Sequence, residues 1–321
     1  LASLSTRQVA AFTTDQIQAL DTRSVVSLTT AQVAGLSTTQ LAAMLTNQIA
    51  ALETVDLIAI GSRQVSALTT AQVDALTTGQ IASLLSTQVA SLTTSQLSVL
   101  KADDIRALSS TQIGAISTTL ISALSTAQLA AIQTDDVAGF SSRQIGLLGT
   151  DQLNALSTSA FASLSSTQVG SFTTIQVAAL STSLLGALEA ADFAAFSTTQ
   201  LRALDSAQLT LLGTDDFAAI SSTQVAALST MQLLGLGTDD IRALGSTQVA
   251  GLTTAQVASL STAQLSALEA DDVGALGTRQ LAVLSTDQLR ALSTAGIAAM
   301  GSTQVAALST LQLCAMSSTQ K

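Results

Sequence analysis

The 321-residue sequence has no histidine, proline, tryptophan or tyrosine, only one cysteine, and an aromatic share of 2%. Without histidine, neither a Ser-His-Asp nor a Cys-His nucleophile can be assembled, and the common zinc sites lose their main ligand. One cysteine excludes an intrachain disulfide framework, and the low cysteine, lysine and aromatic content suits an exported chain. So few rings leave little of the material on which an ordinary globular core leans. Cations are scarce as well: eleven Lys and Arg are scattered among 21 Asp and Glu, for a net charge of −10. That balance argues against nucleic acid or an anionic membrane surface as partner, since both need clustered positive charge. No apolar run approaches the roughly 20 residues that span a bilayer. Gly-rich phosphate loops and Gly-rich calcium nonapeptides are missing too. Residue 1 is Leu and no signal peptide is visible, so the segment reads as part of a longer chain.

What the sequence does contain is 47% hydrophobic, too apolar for a disordered acidic tail, and evenly spread. The evenness is a repeat. Counting from Ser5, 39 full octads fill residues 5–316 without insertion or deletion, after four leading residues and before a five-residue tail. The expected organisation is therefore one continuous array over 1–321. The consensus is Ser/Thr-Thr-x-Gln-Val-Ala-Ala-Leu, as in Thr69 to Leu76 and Thr253 to Leu260. Position 5 is Val, Ile, Leu or Phe until Lys321, which is read as the start of a boundary. Position 8 is Leu, Ile, Met or Phe, and position 2 is Ser or Thr except at Ala102, Ala190 and Ala270. Positions 3 and 6 carry the arginines. Positions 2, 5 and 8 are expected to face inward, and positions 3 and 6 outward.

Each octad also carries a helix-start signature. Ser or Thr followed three residues later by Gln is a capping box, and the flanking apolar residues, such as Leu68 and Val73, form a hydrophobic staple. The cap falls on position 1 or on position 2. A single long helix is disfavoured: eight residues overshoot two turns by about 80°, so the apolar seam would spiral away from any partner. A β-solenoid is the alternative fold, but it wants period-two alternation, and Ala at positions 6 and 7 is a poor strand residue. The remaining reading is all-α: very short capped helices, one per octad, coiled into a solenoid. One octad cannot offset the entropy of its own ordering. Stacked octads can, and stability then belongs to the array.

Substitutions set the coil size. Phe at position 8 recurs at Phe140, Phe172 and Phe196, and Phe at position 5 at Phe161, Phe193 and Phe217, each four and then three octads apart. Asp at position 4 marks the octads beginning at 133, 189, 213, 237 and 269, in steps of seven, three, three and four. These values predict about 3.5 octads, or 28 residues, per coil. Asp56 and Asp104, six octads apart, fit poorly.

No catalytic, cofactor-binding or metal site is expected. The acidic pairs Asp103-Asp104, Asp135-Asp136, Asp215-Asp216, Asp239-Asp240 and Asp271-Asp272 could in principle bind calcium or pair for catalysis. Their place in a first helical turn makes them dipole partners and caps instead, and adjacent residues point apart. Cys314 reads as an incidental outward substitution, and Arg242 as a solvated side chain able to pair with a neighbouring Asp. The Thr rows are better explained as caps than as an ice-binding surface.

Runs such as Leu124 to Leu129 (LSTAQL) and Leu252 to Val257 (LTTAQV) resemble tracts of very large bacterial proteins, often labelled as haem utilisation or adhesion proteins. The resemblance covers the whole chain. It implies export and a surface or filament role, and it carries over no binding residue; a haem ligand is hard to find without His or Tyr. The expectation is a non-enzymatic structural element: a self-associating extracellular or cell-surface filament, sheath or adhesin stalk, joined end to end or laterally. The alternative is a repeat-type scaffold that binds a peptide or other macromolecule. Against it, position 6 varies but is mostly Ala, Gly and Ser, with few aromatic or charged anchors.

Overall fold

The computed structural model describes residues 1–317 and Gln320. Lys321, and with it the expected boundary, lies outside the described residues. Among them are 38 α-helices and one 3-10 turn, with no strand, so the chain is all-helical and the β-solenoid is excluded. It forms two compact units, Leu1–Leu164 and Ser165–Lys321. Each unit is built from the same repeated element.

In the octad Ser37 to Met44, Ser37 is extended (φ −71°, ψ 159°), the helix runs over Thr38–Ala43, and Met44 returns to an extended backbone. The cap is therefore position 1. Ser37 Oγ accepts the Gln40 N–H at 3.2 Å, and Gln40 Oε1 accepts the Ser37 N–H at 2.9 Å. Two of the donors that a helix start leaves free are thus satisfied reciprocally. Where position 1 lacks an oxygen, as at Leu45, the second half persists: Leu45 N–H donates to Gln48 Oε1 at 2.7 Å. Every turn is made without positive φ, even at glycine, among the described residues. The extended residues at positions 8 and 1 suffice to redirect the chain.

Positions 5 and 8 are inward as expected. Val225 and Leu265 are 0% exposed, while Leu228 and Leu268 are 4% and 3%. Position 2 is not inward: Thr6, Thr46, Thr70 and Thr254 are exposed, and Thr38 is half-buried. As the first helical residue it stands beside the cap, at the rim of the core. Its place is taken by position 4, whose glutamines are buried almost throughout, Gln48 and Gln88 to 1% exposure.

Candidate functional site

The buried glutamine recurs along the array, and it carries two hydrogen-bonding tasks at once. While its Oε1 accepts the cap N–H of its own octad, its Nε2 donates backward to the preceding coil. Gln48 Nε2 reaches the carbonyls of Ile17 at 2.8 Å and Leu20 at 2.6 Å. Gln72 does the same to Leu41 and Met44 at 2.8 and 2.7 Å, and Gln256 to Val225 and Leu228 at 2.9 and 2.8 Å. The acceptors are positions 5 and 8, at the end of a helix; the position-5 carbonyl also takes the position-8 N–H of its own octad, as Leu41 takes that of Met44 at 3.1 Å, while the position-8 carbonyl lies just past the helix. One amide thus joins the start of one helix to the end of another. Buried side-chain polar atoms without a partner are absent among the described residues, as this sharing requires.

The ladder also measures the coil. The offset from Gln to the position-8 carbonyl is 28 residues each time, which is 3.5 octads. Helices three octads apart pack together, as Ser222–Ala227 does with Ser246–Gly251. The predicted coil size is therefore observed within each unit. The signal for the ladder was the persistence of Gln at position 4. A capping role alone accounts for its Oε1, but an amide kept so regularly also has a donor to place.

The acidic pairs are divided by the same geometry. The position-3 members, Asp103 and Asp239, are exposed and pair with Arg106 and Arg242 on their own helices, the latter at 2.7 Å. Lys101 and Asp74 form a bridge 3.0 Å long between residues 27 apart, again largely exposed. Such exposed pairs contribute little. The position-4 members take over half of the glutamine's task. Asp216 Oδ2 accepts the Gly213 N–H at 2.7 Å, and Asp240 Oδ2 accepts that of Gly237 at 2.9 Å. A carboxylate cannot donate to the coil before it, so it accepts from it: Thr30 Oγ1 donates to Asp56 at 2.7 Å, and Thr78 Oγ1 to Asp104 at 3.1 Å. These two position-2 hydroxyls are 26 residues ahead of their partners. Each of the seven octads with Asp at position 4 has a residue other than Ser or Thr at position 1 (Glu53, Lys101, Gln133, Glu189, Gly213, Gly237, Glu269); nothing in the structure explains that exclusion. Burial pushes the Asp216, Asp240 and Asp272 carboxyls above their ordinary range, against the N–H bond that each accepts, and the neighbouring carboxylate adds to the rise.

No group of three His, Cys, Asp or Glu side chains is placed to share a metal ion among the described residues. Cys314 is exposed. A hollow of about 570 Å³ lies among Ile297, Ala298, Val305, Leu313 and Met316, in the last coil. No helix among the described residues is long and apolar enough to cross a membrane.

The ALTTAQ repeat, a described protein family, matches the chain eight times: at residues 21–54, 49–86, 97–132, 129–162, 148–182, 185–219, 233–270 and 265–301. This agrees with a repeat-tract protein and carries no haem or adhesion assignment. No curated protein matches the chain.

Proposed function

The chain belongs to the ALTTAQ repeat family, and from that premise we propose that it is a structural element, a self-associating extracellular filament, sheath or adhesin stalk, and not an enzyme. The observation that carries this reading is the uniform ladder. Buried glutamines such as Gln48, Gln72 and Gln256 spend their amides on the coil before them. The repeated chemistry therefore serves extension of the array, and among the described residues it does not converge on one pocket. Stability built from near-neighbour terms lets length vary while the local structure stays the same. Export and a cell-surface location follow the resemblance of the octads to tracts of large bacterial surface proteins.

The test is immunogold electron microscopy of cells that make the protein, with antibodies raised against the octad tract. Label along extracellular filaments, stalks or a sheath is the expected result. Label confined to the cell interior overturns the reading, and so does turnover of a substrate by the purified chain.

A further inference from the structure

Asp replaces Gln at position 4 in seven octads, and it keeps only half of the amide's chemistry. In a Gln octad the side chain has an acceptor for its own cap and a donor for the coil before it. Gln256 Oε1 accepts the Thr253 N–H at 2.8 Å, and its Nε2 donates to the Leu228 carbonyl, also at 2.8 Å. An ionised carboxylate has acceptors alone. The first unit makes good this loss between coils. Asp56 and Asp104 accept from Thr30 and Thr78, and Asp136 takes the Ser110 N–H. The position-1 side chains Lys101 and Gln133 donate to the Asp74 and Arg106 carbonyls, 27 residues earlier, at 3.2 and 2.7 Å.

The second unit lacks these substitutes. Asp216, Asp240 and Asp272 accept the N–H of their own cap residues, Gly213, Gly237 and Glu269, and bond to no other coil among the described residues. The carbonyls 28 residues before them, those of Leu188, Leu212 and Leu244, stand where Leu228 stands for Gln256. They belong to buried residues and receive no protein donor among the described residues.

The charges around these carboxyls are nearly all negative. Thr214–Ala219 carries Asp215 beside Asp216 and packs against Ala190–Ala195, which brings Asp192 and the cap residue Glu189. On its other side Thr238–Ala243 brings Asp239, Asp240 and Arg242, and Asp239 holds Arg242 at 2.7 Å. Thr262–Ser266, which packs on the Asp240 helix, has no charged residue. Around Asp272, Ser246–Gly251 and Thr294–Ala299 have none either, leaving Glu269 and Asp271 of its own helix start.

We propose that these octads form an acid-closed seam in the second unit: protonated Asp216, Asp240 and Asp272 donate to the Leu188, Leu212 and Leu244 carbonyls and restore the rung that glutamine supplies elsewhere. A carboxylic acid carries one acceptor and one donor on the same carbon, as a primary amide does. Protonation therefore completes the rung while the other oxygen keeps the cap. Asp is a methylene shorter than Gln, and Asp56 shows that it still reaches the preceding coil, at Thr30, 2.7 Å away. Burial first, and then the neighbouring carboxylates, hold Asp216, Asp240 and Asp272 above the ordinary range. The seam is closed below the ordinary carboxylate range and opens as pH rises through the raised values. This device goes beyond the structural role proposed above and does not depend on it.

The experiment uses the 321-residue chain at neutral pH and in mild acid. Hydrogen exchange, corrected for the pH dependence of the intrinsic rate, reads protection in Thr214–Ala219, Thr238–Ala243 and Ala270–Ala275. Thr254–Ser259, in an octad with Gln256 and no carboxyl, is the internal reference. The three acidic helices should gain about threefold to tenfold in protection in acid, the worth of one hydrogen bond, and the reference should not change. The variant Asp216→Gln, Asp240→Gln, Asp272→Gln should show the acid level of protection at both pH values. Carbonyl carbon NMR of Leu188 and Leu212 separates a new bond from mere relief of like charge: both signals should shift downfield in acid, toward that of Leu228. No gain in the acidic helices, an equal gain in the reference, or carbonyl signals that stay put while protection rises each overturns the proposal. A Gln variant no better protected than the parent at neutral pH overturns it as well.

Discussion

Two octads with nearly the same acidic start fold differently. Gln133 to Phe140 and Gly213 to Ile220 both carry Thr-Asp-Asp at positions 2 to 4. The second forms the six-residue helix Thr214–Ala219, while the first keeps only the 3-10 turn Val137–Gly139. In the second, Asp216 accepts the N–H of its own cap residue, Gly213. In the first, Asp136 takes the backbone N–H of Ser110 in the preceding coil, and the Gln133 amide donates to the Arg106 carbonyl at 2.7 Å. Gly139 lets the turn lie against Ser110, whose carbonyl would be 2.0 Å from an added Cβ. Position 4 is Asp in both, so what separates the two octads is the partner that this carboxyl takes and the close approach that Gly139 permits. Loss of the cap bond alone does not unmake a helix, since Thr54–Ala59 forms in full without one.

The largest effect should separate core from surface. Replacing Val225 or Leu228 by Asp puts an unpaired charge where 0% and 4% of the residue is exposed, at a cost of about 3 kcal/mol or more. Thr223→Lys and Ala226→Lys, at positions 3 and 6, should change stability by no more than about 0.5 kcal/mol. Thermal unfolding followed by circular dichroism measures both, and equal tolerance in the two sets would show that the faces are misassigned.

Next in size is the ladder itself. Gln256→Leu keeps the apolar volume but withdraws the donor from the Val225 and Leu228 carbonyls and the acceptor from the Thr253 N–H. Leaving such buried groups unmatched costs about 1–3 kcal/mol. Gln256→Asp should cost less, because a carboxylate can still accept at the cap, as Asp216 does. If the two variants unfold alike in denaturant, the backward bond outweighs the cap. If Gln256→Leu is silent, the ladder does not hold the coils together.

Glycine substitution sharpens the comparison between the octads. Gly139→Ala collides with the Ser110 carbonyl, so hydrogen exchange should accelerate across Ser110–Ala115 and 133–140. Gly79→Ala has nothing within 4 Å of the new Cβ and should stabilise its helix by about 0.5–1 kcal/mol. Protection of 133–140 that is unchanged by Gly139→Ala would mean that the close approach does not hold the turn.

The smallest effect is that of pH. The Asp216, Asp240 and Asp272 carboxyls lie above their ordinary values in the fold, chiefly through burial, so the folded chain binds protons more tightly than the unfolded one. Their contribution is fully present below the ordinary carboxylate range and is lost as pH rises through the raised values. Tm should therefore be slightly higher in mild acid than at neutral pH. Asp21, lowered chiefly by its bond from Ser24, acts in the opposite sense at a fully exposed site. The triple variant Asp216→Asn, Asp240→Asn, Asp272→Asn should flatten the slope, and a slope that it leaves intact assigns the effect elsewhere.

Much of this fold is written in local patterns. Ser or Thr with Gln three residues on, framed by apolar residues, marks each helix start, because capping involves only neighbours along the chain. The apolar positions 5 and 8 are readable as core from what each slot tolerates, and the spacing of Phe and Asp carries the coil of 28 residues. Position 2 misled, since its Ser and Thr are as regular as the core residues yet stand at the rim, as Thr70 and Thr254 do. Tertiary structure alone decided the partner of the glutamine amide. Gln48 and Leu20 are 28 residues apart, and nothing local to either specifies the other. Only when the coils stack does the free carbonyl at the end of one helix meet a buried donor at the start of another, and burial then makes leaving either one unpaired costly.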